Sequence, residues 1–285
     1  MELNLKRPLE LAAVNAGRFV GSRRFNTRTM LISPRIRKMY PWWRRIDYEP
    51  HAWACVDSNC HSGDISVDVG ANVGILTYCM SRAVGPKGLV YALEPDPFNY
   101  SLLVENLELN RCENVIPLQI AAAERTGLTE FFLAPREHHQ MSAMMSNAPD
   151  AKAATVMRTT LDELLVTCDK LSYVKIDVEG AEMLVLRGSE ALLRRFHPFL
   201  QVEVHGMFMK NKDSIDELFE FLENIGYRAI NLIDNGPVTL QEFKRDTKLH
   251  VINPYTGVDQ AYCGHGQLLF VNGSRDYRLA PVDGE

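Results

Sequence analysis

Long apolar runs are the first thing missing from this chain of 285 residues. No stretch of about 18 consecutive apolar residues occurs, so no membrane-spanning helix is expected. The opening MELNLKRPLELAAVNAGRF has neither a sustained apolar core nor a small-residue cleavage site, so no secretory signal is expected either. Cysteine is scarce and scattered, at positions 55, 60, 79, 112, 168 and 263. Nothing in that spacing suggests a disulfide framework in a chain of this length. Cys55, Cys60 and His61 are close together, but no second ligand pair follows at zinc-finger spacing. The expectation is reduced thiols in a cytoplasmic protein. There is no internal repeat. The dinucleotide pattern G-x-G-x-x-G is absent, and so is the Gly-Lys-Ser/Thr ending of a phosphate-binding loop. No Asn/Asp-Pro-Pro-aromatic block is present either, so attack by an exocyclic base nitrogen has no sequence signature here.

What is present is an ordinary globular composition, 46% hydrophobic and 24% charged, in a length that suits one large domain with an extension. The charge is uneven. Residues 1–50 hold 11 Lys+Arg and 4 Asp+Glu, a net of +7, which leaves −12 for the rest of a chain whose total is −5. A basic arm suits a nucleic acid, an anionic substrate or a membrane surface. This arm also carries Phe19, Phe25, Trp42 and Trp43, which want burial. We therefore read residues 1–60 as a basic, mainly helical cap on a domain of 61–285, with dimerisation through the cap as one use for it.

From residue 64 onward, strand-like and helix-like stretches alternate. ISVDVG, LVYALEP, NVIPLQIAAA, LSYVKID and FLQVEVH read as strands, and TEFFLA and TVMRTTL as further extended pieces. YRAINLI and QLLFVNG are late strands. ILTYCMSRAV and NYSLLVENLELN have helical spacing, the second with Leu102, Leu103, Leu107 and Leu109 near one face. SIDELFEFLENIG is a helix stopped by Gly226. Residues 134–158 read as a loop or lid rich in Met, His and Ala. The alternation predicts an α/β fold, a doubly wound and mostly parallel sheet with helices on both faces. Ligands of such sheets bind at the carboxyl ends of the strands, near the switch in strand order. The residues there are Asp68 to Gly74, Glu94 with Pro95, Ala121 to Ala123, Asp177 to Glu179, and Glu203 with His205.

VDVGANVGILT, residues 67–77, is the most informative stretch. Gly70 and Gly74 allow a tight turn and close approach of a ligand to backbone N–H groups. Their G-x-x-x-G spacing is wrong for a pyrophosphate. It suits S-adenosylmethionine, which has no phosphate and needs backbone contacts plus a carboxylate for its ammonium. Glu94 ends the second strand, where a carboxylate accepts from both ribose hydroxyls. An NAD oxidoreductase fails on the glycine spacing.

DVGANVGILT, VYALEPDPFNYSLLVENLELN, RTTLDELL, VKIDVEGAEMLVLRG and LQVEVH, in that order, resemble the successive blocks of the FkbM-type methyltransferases over roughly residues 64–205. The resemblance implies a class I (Rossmann-like) seven-stranded sheet and an S-adenosylmethionine-dependent enzyme. Many members are O-methyltransferases acting on sugars or polyketide-like natural products. It implies donor contacts at Asp68, Gly70, Asn72, Gly74 and Glu94. Position after a strand, or within the glycine block, adds Thr77, Pro95, Ala122 and Asp177.

Methyl transfer from a sulfonium is an in-line displacement in which alignment supplies much of the rate. A hydroxyl acceptor also needs a base, or a metal that lowers its pKa. Glu203 and His205 are two apart in a strand and so share a face. If that strand neighbours the one ending at Asp177, the three converge. His205 is then a general base oriented by Glu203 or Asp177, or all three hold a divalent metal, or His205 is structural. Glu179 and Glu182 favour the positive end of the following helix, and Glu179 is a candidate to touch the acceptor. In the 134–158 stretch, Ser142 and His139 are further acceptor-side candidates. A methyltransferase-fold binding module without turnover is the rival reading, and the intact acidic set argues against it.

Overall fold

The computed structural model describes residues 21–25, 28–39, 49–133, 152–205, 213–233, 236–246, 249–252, 259–262, 265–273 and 275–279. Its centre is a seven-stranded sheet. The strands are β3 (Ile65–Val69), β4 (Leu89–Leu93), β5 (Val115–Leu118), β9 (Tyr173–Ile176), β10 (Phe199–His205), β11 (Tyr227–Asn231) and β14 (His265–Asn272). They lie in the order β11-β14-β10-β9-β3-β4-β5. The order runs outward from β3 in both directions, β4 then β5 one way and β9 then β10 the other. The switch point therefore lies between β3 and β9, which pair in parallel with Asp68 opposite Lys175. β14 is antiparallel to both β10 and β11, against the parallel majority. This is the class I methyltransferase arrangement.

Strand alternation sorts the core into two layers. Val67 and Val69 of β3 face one layer with Leu93, Val174, Ile176, Leu186, Phe219 and Leu222. Tyr173 faces the other, with Trp53, Leu76, Met80, Leu102 and Leu103. The connecting helices follow from local chemistry. α3 (Ile75–Val84) begins where Gly74 takes a left-handed φ of 86°. α4 (Pro97–Leu109) has Pro at its first position, and the Asp96 side chain accepts from the backbone N–H groups of Phe98 and Asn99. α5 (Leu161–Leu164) is capped by Thr160, whose hydroxyl accepts from Glu163 N at 3.0 Å. α6 (Glu182–Arg187), α7 (Glu190–Phe196) and α8 (Asp213–Asn224) follow, and Gly226 with φ 87° turns the chain after α8 into β11. α9 (Leu240–Asp246) buries Phe243 against Phe219. No helix among the described residues is long and apolar enough to cross a membrane.

Three expectations change. NVIPLQIAAA is two strands, not one: β5 ends at Leu118, and β6 (Ala121–Ala122) belongs to a separate three-stranded sheet with β7 (Gly127–Leu133) and β8 (Lys152–Thr159). The supposed lid of 134–158 is cut short, because residues from 152 onward are β8, paired antiparallel with β7. Residues 134–151, with His139 and Ser142, lie outside the described residues. The basic arm contains a β-hairpin, β1 (Gly21–Phe25) with β2 (Arg28–Ile32), ahead of α1 (Pro34–Met39) and α2 (Pro50–Asn59). Met30 and Ile32 are buried while Leu31 between them is 38% exposed, a period of two that overrides helical propensity. Phe19, Trp42 and Trp43 lie outside the described residues, as does the side chain of Phe25. The arm docks on α4: Asn110 accepts from Leu31 N at 2.7 Å and donates to Leu31 O at 2.8 Å. α2 buries Trp53 beside Tyr78 of α3 in the same core layer. Cys55 and Cys60 are buried in that layer, and burial pushes the Cys55 thiol up to about 12, far from a metal-binding thiolate.

Candidate active site

A cleft opens across the carboxyl ends of β4, β3, β9 and β10. Its wall includes Gly70, Asn72, Glu94, Pro95, Ala122, Phe131, Asp177, Glu179, Glu203 and Glu49. At one end the wall is mostly backbone. After β3 the chain takes left-handed φ at Gly70 (80°), Asn72 (50°) and Gly74 (86°), which folds the loop back under α3. Asn is the non-glycine residue that tolerates this region best, which explains Asn72. At Gly70 a side chain has no room: a Cβ would sit 1.8 Å from the Asp177 carbonyl oxygen. The loop is pinned from behind by Asn106, buried on α4, which donates to Val73 O at 2.6 Å.

Glu94 closes this end. Its Oε2 accepts from Asn72 N at 2.8 Å and its Oε1 from Asp96 N at 2.9 Å. Burial outweighs those hydrogen bonds and pushes the carboxyl up to about 8. A carboxylate held rigid by two backbone donors, with lone pairs left over at the cleft wall, suits a ligand bearing vicinal hydroxyls.

Asp68, Gly74 and Thr77 stand behind the wall. Asp68 is fully buried: Thr77 Oγ1 donates to its Oδ2 at 2.5 Å, and Lys175 Nζ lies 3.8 Å from its Oδ1. Lys175 is a residue that sequence reasoning passed over. It is 5% exposed on β9 and also donates to Asp177 Oδ2 at 3.0 Å. Asp177 and Asp68 together raise its pKa against the effect of burial. One lysine thus ties the carboxylate under the glycine loop to the carboxylate at the switch point. The available signal was a lone cation inside the apolar run YVKI, two residues before Asp177.

The other end of the cleft is carboxylate. β9 and β10 are neighbours, so Asp177, Glu203 and His205 do converge. Their ligand atoms lie within 4.8 Å of one another. His205 Nε2 is 3.8 Å from Asp177 Oδ1, 3.7 Å from Glu179 Oε2 and 3.6 Å from Glu203 Oε1. Its Nδ1 is 2.8 Å from Oε1 of Glu182, which is fully buried and also accepts from Gly180 N. Burial works against charging His205, but Glu179, Glu182 and Glu203 hold its pKa well above the usual histidine value. His205 is 3% exposed and behind the wall, whereas Asp177, Glu179 and Glu203 are on it. Burial pushes Glu179 up to about 7, and burial with the Asp177 charge pushes Glu203 up to about 8. Glu179 itself has a left-handed φ of 53°, a strained setting for a non-glycine residue that aims its side chain into the cluster.

Glu49 was not anticipated. It stands just before α2 with φ 46° and ψ 58°, and reaches the same wall from the amino-terminal arm. The sequence marks it only as the residue before Pro50.

Among proteins of known annotation, the chain is 29% identical over 145 residues to the hexuronic acid methyltransferase AglP of Haloferax volcanii, covering 50% of this chain and 56% of that protein. It is 30% identical over 146 residues to Methyltransferase 1 of Beauveria bassiana, covering 43% and 57%. The chain thus spans little more than half the length of these relatives. A solved structure of an FkbM methyltransferase from Methylobacillus flagellatus aligns at a TM-score of 0.45 and 17% identity, over 75% of this chain and 44% of that one. The family described as "Methyltransferase FkbM domain" matches residues 68–229, from the aspartate under the glycine loop to the middle of β11. That match takes in more than half of the chain and both ends of the cleft except Glu49, and by it the protein belongs to the FkbM methyltransferase family.

Proposed function

We propose that the chain is an S-adenosylmethionine-dependent methyltransferase acting on a hydroxyl of a small acceptor, a sugar or polyketide-like molecule. The observation that carries this is the pairing of a backbone-built pocket closed by Glu94 with a carboxylate wall one strand-width away. The donor supplies an already activated methyl group. The chain's own task is to hold the donor at Gly70, Asn72 and Glu94, to align the acceptor oxygen, and to take its proton.

The wall favours a carboxylate over His205 for that last step. A histidine held cationic by three surrounding glutamates has no lone pair to offer. Glu203 and Glu179 face the cleft, and burial makes each a stronger base than an ordinary carboxylate near neutral pH. His205 then acts through them, its positive charge and its bond to Glu182 fixing where they point. It is a positioning residue.

A specific geometry supports a second reading, a divalent cation held by Asp177, Glu203 and His205. The 3.6–3.8 Å separations from Nε2 are too long for hydrogen bonds. They match the spacing of about 3–4 Å between ligands around one small cation. A buried carboxylate on the far ring nitrogen, as Glu182 is on Nδ1, is the usual support for a metal-binding histidine.

Calorimetric titration with S-adenosylmethionine, with and without EDTA and with NADH as control, tests both. Binding of the methyl donor alone is expected, and a folded protein that ignores it sinks the proposal. Turnover that EDTA abolishes and Mg²⁺ or Mn²⁺ restores would favour the cation reading. His205→Ala should lower turnover while leaving donor affinity nearly intact, and unchanged turnover would remove His205 from both readings.

A further inference from the structure

Backbone contacts tie Asp177 to the glycine loop. Its N–H donates to Val69 O at 3.0 Å, and its carbonyl oxygen lies so near Gly70 that a Cβ there would come within 1.8 Å of it. Its carboxylate accepts from Lys175 Nζ at 3.0 Å. Lys175 is 5% exposed, and its register partner on β3 is Asp68. Nζ lies 3.8 Å from Asp68 Oδ1, a buried oxygen that accepts no hydrogen bond. Glu49, from the amino-terminal arm, bears on the same lysine electrostatically. Carboxylates from three parts of the chain thus bear on one buried ammonium.

A lysine is seldom buried this far without a partner that matters. The chemistry of the cleft supplies a reason. In methyl transfer the C–S bond breaks with its electron pair going to sulfur, an oxygen lone pair forms the new C–O bond, and the oxygen's proton passes to a base. The positive charge of the sulfonium is therefore lost as the reaction proceeds. A bare carboxylate on that side of the loop would hold the charged ground state more tightly than the transition state, and so slow the step. A cation directly behind Asp177 offsets that pull.

We propose, resting on the methyl-transfer reading of the same cleft, that Lys175 is a positioning residue for the reaction. It fixes the Asp177 carboxylate against the glycine loop and masks its charge, so that the cleft does not over-stabilise the cationic donor. Lys175 is not itself on the cleft wall, and it acts through Asp177.

The test uses the full chain, in EDTA, at neutral pH. Calorimetry reads two dissociation constants, for S-adenosylmethionine and for S-adenosylhomocysteine. The two ligands share the adenosine and the amino-acid ammonium and differ by the methyl group and its positive charge. General damage to the pocket therefore weakens both alike and leaves their ratio unmoved. Lys175→Met keeps the length of the side chain and removes its charge. It should shift the ratio about tenfold in favour of S-adenosylmethionine, as expected for one partly buried carboxylate left without its cation. Lys175→Arg keeps the charge and should stay within about twofold of the wild-type ratio. Should Lys175→Met not fold, Asp68→Asn combined with it removes the buried carboxylate that the lysine would leave bare, and should show the same shift. An unchanged ratio in either folded Met variant, a shift toward S-adenosylhomocysteine, or an equal shift in Lys175→Arg would overturn the proposal. So would loss of S-adenosylhomocysteine binding in both Met variants, since the lysine would then be needed for the pocket itself. Wild-type protein that binds neither ligand would instead sink the donor reading on which this one stands.

Discussion

At the donor end of the cleft three successive left-handed turns, at Gly70, Asn72 and Gly74, present backbone to the ligand, and a single carboxylate closes the pocket. At the end proposed for the acceptor, four side-chain carboxylates stand in front of a buried histidine, on a backbone whose one strained wall residue within the family match is Glu179. The first end is shaped by sterics and tolerates little change in volume. The second is shaped by charge. On the proposed reading, the first end meets the donor and the second meets the acceptor.

The contrast breaks most sharply at Gly70. Gly70→Ala forces a Cβ into the Asp177 carbonyl and a side chain into φ 80°. The left-handed strain and the overpacking together should cost about 3 kcal/mol. Urea denaturation should show that loss, and donor binding should vanish with it. A variant of wild-type stability would mean that the two strand ends are not as close as described.

At the other end, Glu203→Gln and Glu179→Gln keep volume and remove charge. Whichever residue is the base, its variant should lose about 100-fold or more in kcat with donor affinity preserved. The smaller loss belongs to the neighbour. Full turnover in both would end the base reading of this wall.

A gentler effect separates the ends by pH. Below about 8 the Glu94 carboxyl is largely protonated, and ligand hydroxyls need it ionised to donate to both oxygens. Donor affinity should therefore climb as pH rises toward about 8, by at most about tenfold per unit, and level off above it. Glu94→Gln should bind the donor about tenfold more weakly and lose that slope. A slope that persists in the variant would assign the titration elsewhere.

The smallest effect lies behind the wall. Thr77→Val removes the one hydroxyl that donates to buried Asp68 Oδ2 and should cost about 1–2 kcal/mol of stability. Turnover should be nearly unchanged, since Thr77 does not reach the cleft. A large drop in kcat would make the Asp68–Lys175–Asp177 chain part of the catalytic machinery.

These residues also show what a sequence displays and what it hides. The expected helix ILTYCMSRAV is α3 to the residue, and ISVDVG and LVYALEP are β3 and β4, because each carries its own periodicity and punctuation. The convergence of Asp177 with Glu203 and His205 was readable because the period of a strand fixes the face, and the alternation of elements makes β9 and β10 neighbours. Hidden residues depend on partners far along the chain. Lys175 reads as a surface cation until Asp68, 107 positions away, is placed beside it. Glu182 reads as a dipole-favouring residue of a helix start, and only the fold shows it gripping His205. The reversal of β14 has no local signal, since QLLFVNG would make an equally good parallel strand. The hairpin in the basic arm was masked by its arginines, which a helix accommodates just as well.

That reversed strand has a consequence for how the molecule is made. Among the described residues β11 pairs with the sheet only through β14, and β14 begins at residue 265, well after β11 ends at 231. As the chain leaves the ribosome, the donor strands and the acceptor strands can pair in order up to β10. β11 must then wait without a partner, while β10 shows an open edge beside the carboxylate wall. The sheet closes only when a later segment threads back between two strands already made. The edge of the sheet beside the carboxylate wall is therefore completed only once residues beyond 265 have been made.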